Sequence, residues 1–389
     1  MSELAQYLGR NVRQYGIMIA LVAIVLLFQV LTDGLLLVPN NVASLIQQNA
    51  YVMILAIGMV MVIVARHIDL SVGSVVAFVG GVTAILMNSY EVPWLLAVVV
   101  ALALGAVIGA WQGFWVAYVG IPAFIVTLAG MLIFRGLAIV LVGTTVAGLP
   151  RGFIRISNGS VPNVLGFVAN LDVVTLLIGA VAVAGLVVGQ VRSRLAKRRH
   201  DLAVEPLAAF VGRLVVAGAL IAFVTYLLSR SAGGTPIVLV IVGVLVVAYS
   251  FVMNRTVFGR HVYAVGGNLQ AAVLSGINTR RVDFLVFVNM GLLAALAGVV
   301  TTSRAGAGVA SAGTLYELDA IAAAFIGGTA VSGGVGRISG AIVGALIMGV
   351  LNMGLSIMAV ESAWQQVIKG LVLLVAVAFD LVSKRRGVR

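Results

Sequence analysis

From about residue 16 onward the chain repeats one pattern: an apolar run long enough to cross a bilayer, then a short polar break. These runs lie near 16–37, 45–65, 70–88, 93–118, 122–146, 171–191, 212–229, 235–253, 283–303, 319–332, 338–358 and 364–382. A hydrocarbon core about 30 Å thick takes roughly 20 apolar residues of helix, and inside lipid a backbone must satisfy its own polar groups. The pattern predicts an all-α, polytopic helical membrane protein of about twelve spans forming one transmembrane domain over 1–389. No soluble core hides a chain that is 62% hydrophobic and only 9% charged. The run at 319–332 is short and glycine-rich, as expected of a broken or re-entrant span. Met1–Tyr15 carries Arg10 and Arg13, and no small-residue cleavage site precedes the second run, so the first span is read as uncleaved.

The +12 net charge raises the question of nucleic acid. Its distribution answers it: the basic residues sit between apolar runs, with no block large enough for a nucleic-acid tract. With the N-terminus inside, 18 of the 24 Lys and Arg fall on the cytoplasmic side and four outside, while Arg135 and Lys369 fall within spans. That asymmetry sets orientation and places both termini in the cytoplasm. The densest segment, Val191–Arg213, joins a pair of spans at 171–229, and the stretch 147–170, with Arg151 and Arg155, is the misfit outside. Cysteine is absent, which excludes disulfides and thiolate metal sites.

The polar island Asn254–Val282 carries Arg255, Arg260, Arg280 and Arg281 and no acid. Within it, Asn268 reads as an N-cap and Gly276 as a left-handed helix stop. About two turns of helix lie between them, with Ala271, Ala272 and Leu274 available to dock. A short capped helix at the cytoplasmic surface suits a protein that receives force from a soluble partner, and an ordinary cytosolic loop is the plainer alternative. Two glycine ladders, Gly105/Gly109/Gly113 and Gly336/Gly340/Gly344, provide flat faces for close helix packing. They fall in spans of opposite direction, as inverted-topology repeats require; simple packing explains them equally well.

Chemistry-bearing residues are few. Asp69, with Ser71 and Ser74, lies between two long runs, and two readings stand: an unwound segment lining a pathway, or a hairpin turn in which Asp69 caps the next helix. Arg135 sits midway along a span, where a charge costs at least ~2.5 kcal/mol; Glu317 and Asp319 are its candidate partners. The density of glycine from Gly327 to Gly336 suits a broken span near a pathway or close packing. Trp94, Trp115 and Tyr118 read as interfacial aromatics, whereas Trp111, Asn352, Trp364 and Gln365 are the candidate sugar contacts, since hydroxyls want amides and sugar faces want aromatic surface. No phosphate loop exists, the only lysines being Lys197, Lys369 and Lys384, and His67, His200 and His261 are scattered. No catalytic or metal constellation and no paired intramembrane acids are expected, so the energy for any uphill transport comes from another polypeptide.

Gln270-Ala271-Ala272-x-x-x-Gly276 resembles the Glu-Ala-Ala-x-x-x-Gly signature of permeases in bacterial ATP-binding-cassette importers. With Gly266-Gly267-Asn268 and Ser275-Gly276-Ile277 it looks like the branch that imports ribose, xylose and related monosaccharides. His67–Ser74, Ile121–Leu128 and Glu317–Gly336 look like further signatures, in order along nearly the whole chain. The spans at 171–229 and the run Arg13–Gln48 are most similar to the xylose and multiple-monosaccharide permeases. Gln270 stands where the signature has Glu, and no Leu-Pro follows, so the Glu–Arg contact implied by the signature is not carried over. The resemblance implies a core of inverted repeats, a permease homodimer in the bacterial inner membrane, two cytoplasmic ATPase subunits that bind ATP, an extracytoplasmic sugar-binding protein and a monosaccharide substrate. It makes 254–282 the coupling loop, with no cofactor on this chain. The rival class is an ion-coupled secondary sugar transporter, which needs an intramembrane acid from among Asp69, Glu317 and Asp319.

Overall fold

A computed structural model describes residues 12–202 and 204–387; the termini themselves, and the expectation that both are cytoplasmic, lie outside the described residues. Proline starts the helices. Pro39 opens α2 (Pro39–Val64), and Pro93, Pro122, Pro150, Pro206 and Pro236 immediately precede α4 (Trp94–Phe114), α5 (Ala123–Val142), α6 (Arg151–Asn158), α8 (Leu207–Ser229) and α9 (Ile237–Arg255). At a helix start the preset φ helps and the missing N–H costs nothing. The remaining helices are α1 (Val12–Leu31), α3 (Val72–Asn88), α7 (Val173–Arg199), α10 (Val257–Gly267), α11 (Leu269–Leu274), α12 (Thr279–Ala305), α13 (Tyr316–Ile326), α14 (Ile338–Ile357) and α15 (Ser362–Gly387).

Among the described residues eight helices are long and apolar enough to cross a membrane, and three shorter apolar stretches lie in α1, α3 and α15. Helix α13 has 11 residues, about 16 Å at 1.5 Å per residue, so it crosses only part of a bilayer, as the glycine-rich run suggested. The whole is a multi-pass all-α membrane protein.

Two long helices form the centre. Helix α2 runs into an irregular connection, the short helix α3 and then α4; α12 runs into an irregular connection, the short helix α13 and then α14. The partners cross over: α4 packs on α12, and α14 packs on α2. Glycines make this possible. A Cβ on Gly109 would strike the Phe287 carbonyl and sit 2.8 Å from Val288 Cα, and one on Gly340 would strike the Gly327 carbonyl. Both ladders are therefore packing faces, although Gly336 precedes α14 rather than lying within it.

The misfit at 147–170 resolves into α6, whose Phe153 and Ser157 are buried while Arg151 and Arg155 stay exposed. It caps the end of α12: Ser303 Oγ donates to the Phe153 carbonyl at 2.8 Å and accepts from Ser157 N at 2.9 Å. Strand β1 (Thr145–Val146) pairs antiparallel with a strand in the α12–α13 connection, and β2 (Phe167–Val168) pairs with β3 (Leu171–Asp172), leaving Gly308–Val309 as β4. The segment Val191–Arg213 is mostly helix, not loop: α7 continues to Arg199 and α8 starts at Leu207. Its ends are clasped by Arg213, which donates to Glu205 Oε1 at 2.7 Å and Gln190 Oε1 at 3.0 Å.

Candidate functional site

The polar island folds as two short helices. Thr256 Oγ1 accepts from Gly259 N at 3.2 Å to start α10, and Asn268 Oδ1 accepts from Ala271 N at 3.0 Å to start α11. Gly276, at φ +78°, ends α11. There Ile277 N donates to the Ala272 carbonyl at 3.1 Å and Gly276 N to the Val273 carbonyl at 3.0 Å. This pair of bonds is the Schellman arrangement, which needs a left-handed residue at that position. Gln270, Ala271 and Leu274 are exposed, Leu274 at 88%. Ala272 is buried at 4%, which corrects its expected docking role: it faces the body and seats the helix. Leu269 and Val273 complete the exposed apolar surface.

This unit is wired to both central layers. Gly266 lies so close to Val64, the last residue of α2, that a Cβ there would strike the Val64 carbonyl; it would also sit 2.7 Å from Gly334 N. Gly334 N itself donates to the Val64 carbonyl at 2.9 Å. Arg66 donates to the Gly266 carbonyl at 2.7 Å and the Gly267 carbonyl at 2.9 Å, closing the end of α10. The Tyr263 hydroxyl donates to the Gly336 carbonyl at 2.7 Å. Displacing α11 therefore loads the end of α2 and the α13–α14 connection together.

The sequence-predicted interior residues do not converge on one site. Asp69 is buried and its Oδ1 accepts from Ser71 N at 2.8 Å and Ser71 Oγ at 2.6 Å, just ahead of α3. That is the turn-forming reading, with Ser71 rather than Asp69 at the N-cap position. Burial pushes the Asp69 carboxyl up to about 6 against these two hydrogen bonds. Ser71 Oγ also accepts from Gln112 Nε2 at 2.7 Å, and Ser74 is buried nearby in α3.

Arg135 donates from Nη1 to the Ala310 carbonyl at 2.9 Å and the Ala312 carbonyl at 2.7 Å, pinning the α12–α13 connection, and of the two expected carboxylates Glu317 stands close enough to interact with its charge. Glu317 is partly buried and its carboxylate lies against Gly73. Asp319 is buried and pairs with Lys369 Nζ at 3.2 Å while accepting from the Tyr51 hydroxyl at 2.8 Å. Tyr51 stacks on Tyr316 with ring centroids 3.5 Å apart. One carboxylate thus joins α2, α13 and α15.

Asn352 Nδ2 donates to Asn49 Oδ1 at 3.0 Å. Gln365 Nε2 turns back to the Val360 carbonyl at 2.8 Å. Trp364 is 62% exposed, and Trp111, also exposed, meets Phe134 edge-on. Gln112, Tyr51 and Asn49 went unsingled in the sequence because a lone polar residue in an apolar run signals its partner only once the helices are placed. Among the described residues no group of three potential metal ligands occurs.

Residues 41–377 match the family described as branched-chain amino acid transport system, permease component. The chain is 43% identical over 378 residues to the xylose transport system permease protein XylH of Escherichia coli K12, covering 97% of this chain and 94% of that protein. It is 39% identical to the Haemophilus influenzae XylH, with coverage of 97% and 98%. It is 36% identical to the E. coli K12 ribose import permease protein RbsC, with coverage of 93% and 92%. No solved structure matches.

Proposed function

The chain belongs to the permease-component family of branched-chain amino acid transport systems, and from that premise we propose that it is the transmembrane subunit of an ATP-driven importer passing xylose, or a closely related monosaccharide, into the cytoplasm. The family description speaks of amino acids, but the relatives aligned over nearly the full length are xylose and ribose permeases. Its partners in this reading are cytoplasmic ATPase subunits, an extracytoplasmic sugar-binding protein and a second copy of the chain. The N-terminus faces the cytoplasm, as do α10 and α11, a placement supported by the Lys and Arg asymmetry.

The observation carrying this reading is the connection from α11 to the core. An exposed apolar helix, held by its own caps, starts at the Asn268 that ends α10, and Gly266 near the end of α10 abuts both the end of α2 and Gly334. Force applied by a nucleotide-driven partner at Leu269, Gln270, Ala271 and Leu274 reaches both central layers without passing through a flexible linker. The interior supplies no vacant acid for the ion-coupled alternative in Asp319, which is already paired with Lys369.

Reconstitution tests the assignment. Proteoliposomes holding the permease, its ATPase and its binding protein are expected to accumulate labelled xylose only with ATP. Permease alone under a proton or sodium gradient is expected to accumulate none. Gradient-driven uptake by the permease alone would overturn the assignment.

A further inference from the structure

Arg66 ends α2 in a conformation that glycine adopts freely and arginine does not. Its N donates to the Ile63 carbonyl and His67 N to the Val62 carbonyl, both at 2.9 Å, the same Schellman closure that ends α11. At α11 the left-handed residue is Gly276; at α2 it is Arg66, with φ +69°. A Cβ in that region crowds the following carbonyl oxygen. Glycine would end α2 equally well without the strain, and orientation by positive charge is served by an arginine anywhere on the cytoplasmic side. Neither need explains an arginine at this position.

The reach of the side chain does explain it. Nε donates to the Gly266 carbonyl at 2.7 Å and Nη2 to the Gly267 carbonyl at 2.9 Å. These carbonyls close α10, where a helix presents its negative end, and Asn268, the next residue, caps α11. Along its stem Arg66 lies against Gly333, where a Cβ would strike Arg66 Cγ. One side chain thus touches the α10–α11 junction and the α13–α14 connection from the end of α2. His67 extends the hold past α11 to the start of α12, with Nε2 3.2 Å from Asp283 Oδ1. Backbone strain that the surroundings hold in place collects where a mechanism uses it.

We propose that Arg66 is a positioning residue for transport: its clasp fixes the α10–α11 junction against the end of α2, so that a push on α11 moves α2 instead of dissipating in the loop. The source of the push rests on the importer reading above; the clasp does not.

Two measurements test this, the first on the permease alone. The chain has no cysteine, so spin labels can be placed at Leu274→Cys and at Val119→Cys, exposed just beyond α4. One narrow distance distribution is expected with Arg66 in place, and loss of that narrow distribution in Arg66→Gly. In the assembled complex, Arg66→Gly should lower the stimulation of ATP hydrolysis by sugar-loaded binding protein about three- to tenfold, the range over which residues along a coupling route act. Arg66→Gly removes the strain together with the clasp, so it should melt within about 3 °C of the wild type. It should also still dock the ATPase, because the exposed face of α11 is untouched. Arg66→Lys keeps the charge but not the planar fork, and should fall between.

A residue that only stabilises the fold would lose melting temperature and stimulation together, and that outcome overturns the proposal. An unchanged distance distribution in Arg66→Gly overturns it as well, as does full stimulation in that variant. A wild-type complex without any stimulation overturns the importer reading instead, and the spin-label distances then decide alone whether Arg66 positions α11.

Discussion

Helices α2 and α12 differ from α7 and α8 in a way their composition hides. All four are apolar and long enough to span, yet 83% of the most apolar window of α2 and 61% of that of α12 are buried in protein, against 11% for both α7 and α8. Lipid tails are as apolar as leucine, so apolar surface alone drives no association within a bilayer. What separates the pairs is close backbone approach. Gly291 and Gly298 of α12 would each place a Cβ against the backbone of a neighbouring helix, as would Gly105 and Gly109 of α4. On α7, Gly185 and Gly189 meet nothing within 4 Å, and only Gly179 meets a partner, the side chain of Thr225. Glycine is a packing device only where another backbone comes to it.

Four substitutions sharpen or break this contrast. The largest effect belongs to Gly109→Leu, whose side chain has only the backbone of Phe287 and Val288 to displace. A loss of about 3 kcal/mol or more is expected, read as collapse of the monodisperse peak in size-exclusion chromatography; a normal peak would mean that the α4–α12 contact is not the core.

Next, Lys369→Met leaves Asp319 buried without its cation, at a cost of about 3–5 kcal/mol. Lys369→Met with Asp319→Asn should recover much of that loss in thermal melts. A double variant no better than the single would show that the pair does not act as a unit.

Arg135→Ala leaves the Ala310 and Ala312 carbonyls without their donor, for an expected loss of about 1–3 kcal/mol and reduced uptake. Arg135→Lys should rescue only in part, because lysine lacks the planar fork; wild-type melting and uptake in the alanine variant would remove Arg135 from any structural role. Smallest is Gly185→Leu on α7, expected to stay within about 0.5 kcal/mol. A large destabilisation there would reveal that α7 packs on something besides lipid.

Much of this is legible in the amino-acid sequence. The apolar runs mark the spans because length and hydropathy are local properties. The helix between Asn268 and Gly276 was readable for the same reason: both of its caps lie within the segment they end. What escaped was every feature that depends on a distant partner. The hydrogen-bond partners of Arg135 are backbone carbonyls, which have no residue-type signature, and only its charge interaction with Glu317 was open to a reading by residue type. Asp319 and Lys369 are 50 positions apart and meet only because α15 returns beside α13. Helix α6 stood out in the sequence only as a charge misfit at Arg151 and Arg155, because its buried face has meaning only against Ser303. Ala272 has the size of a docking residue, and only the direction of α11 shows that it points inward.

If energy enters through α11, ATP hydrolysis by the assembled complex, measured with and without sugar-loaded binding protein, depends on how that helix ends. Gly276 holds φ +78° with nothing within 4 Å of a built Cβ, so Gly276→Val strains the backbone without a clash. The account predicts that Gly276→Val abolishes the stimulation by loaded binding protein while the permease still inserts and purifies normally. Gly276→Asn, which tolerates the left-handed region, should keep most of it. Full stimulation in Gly276→Val would contradict the account and move the coupling path away from this helix.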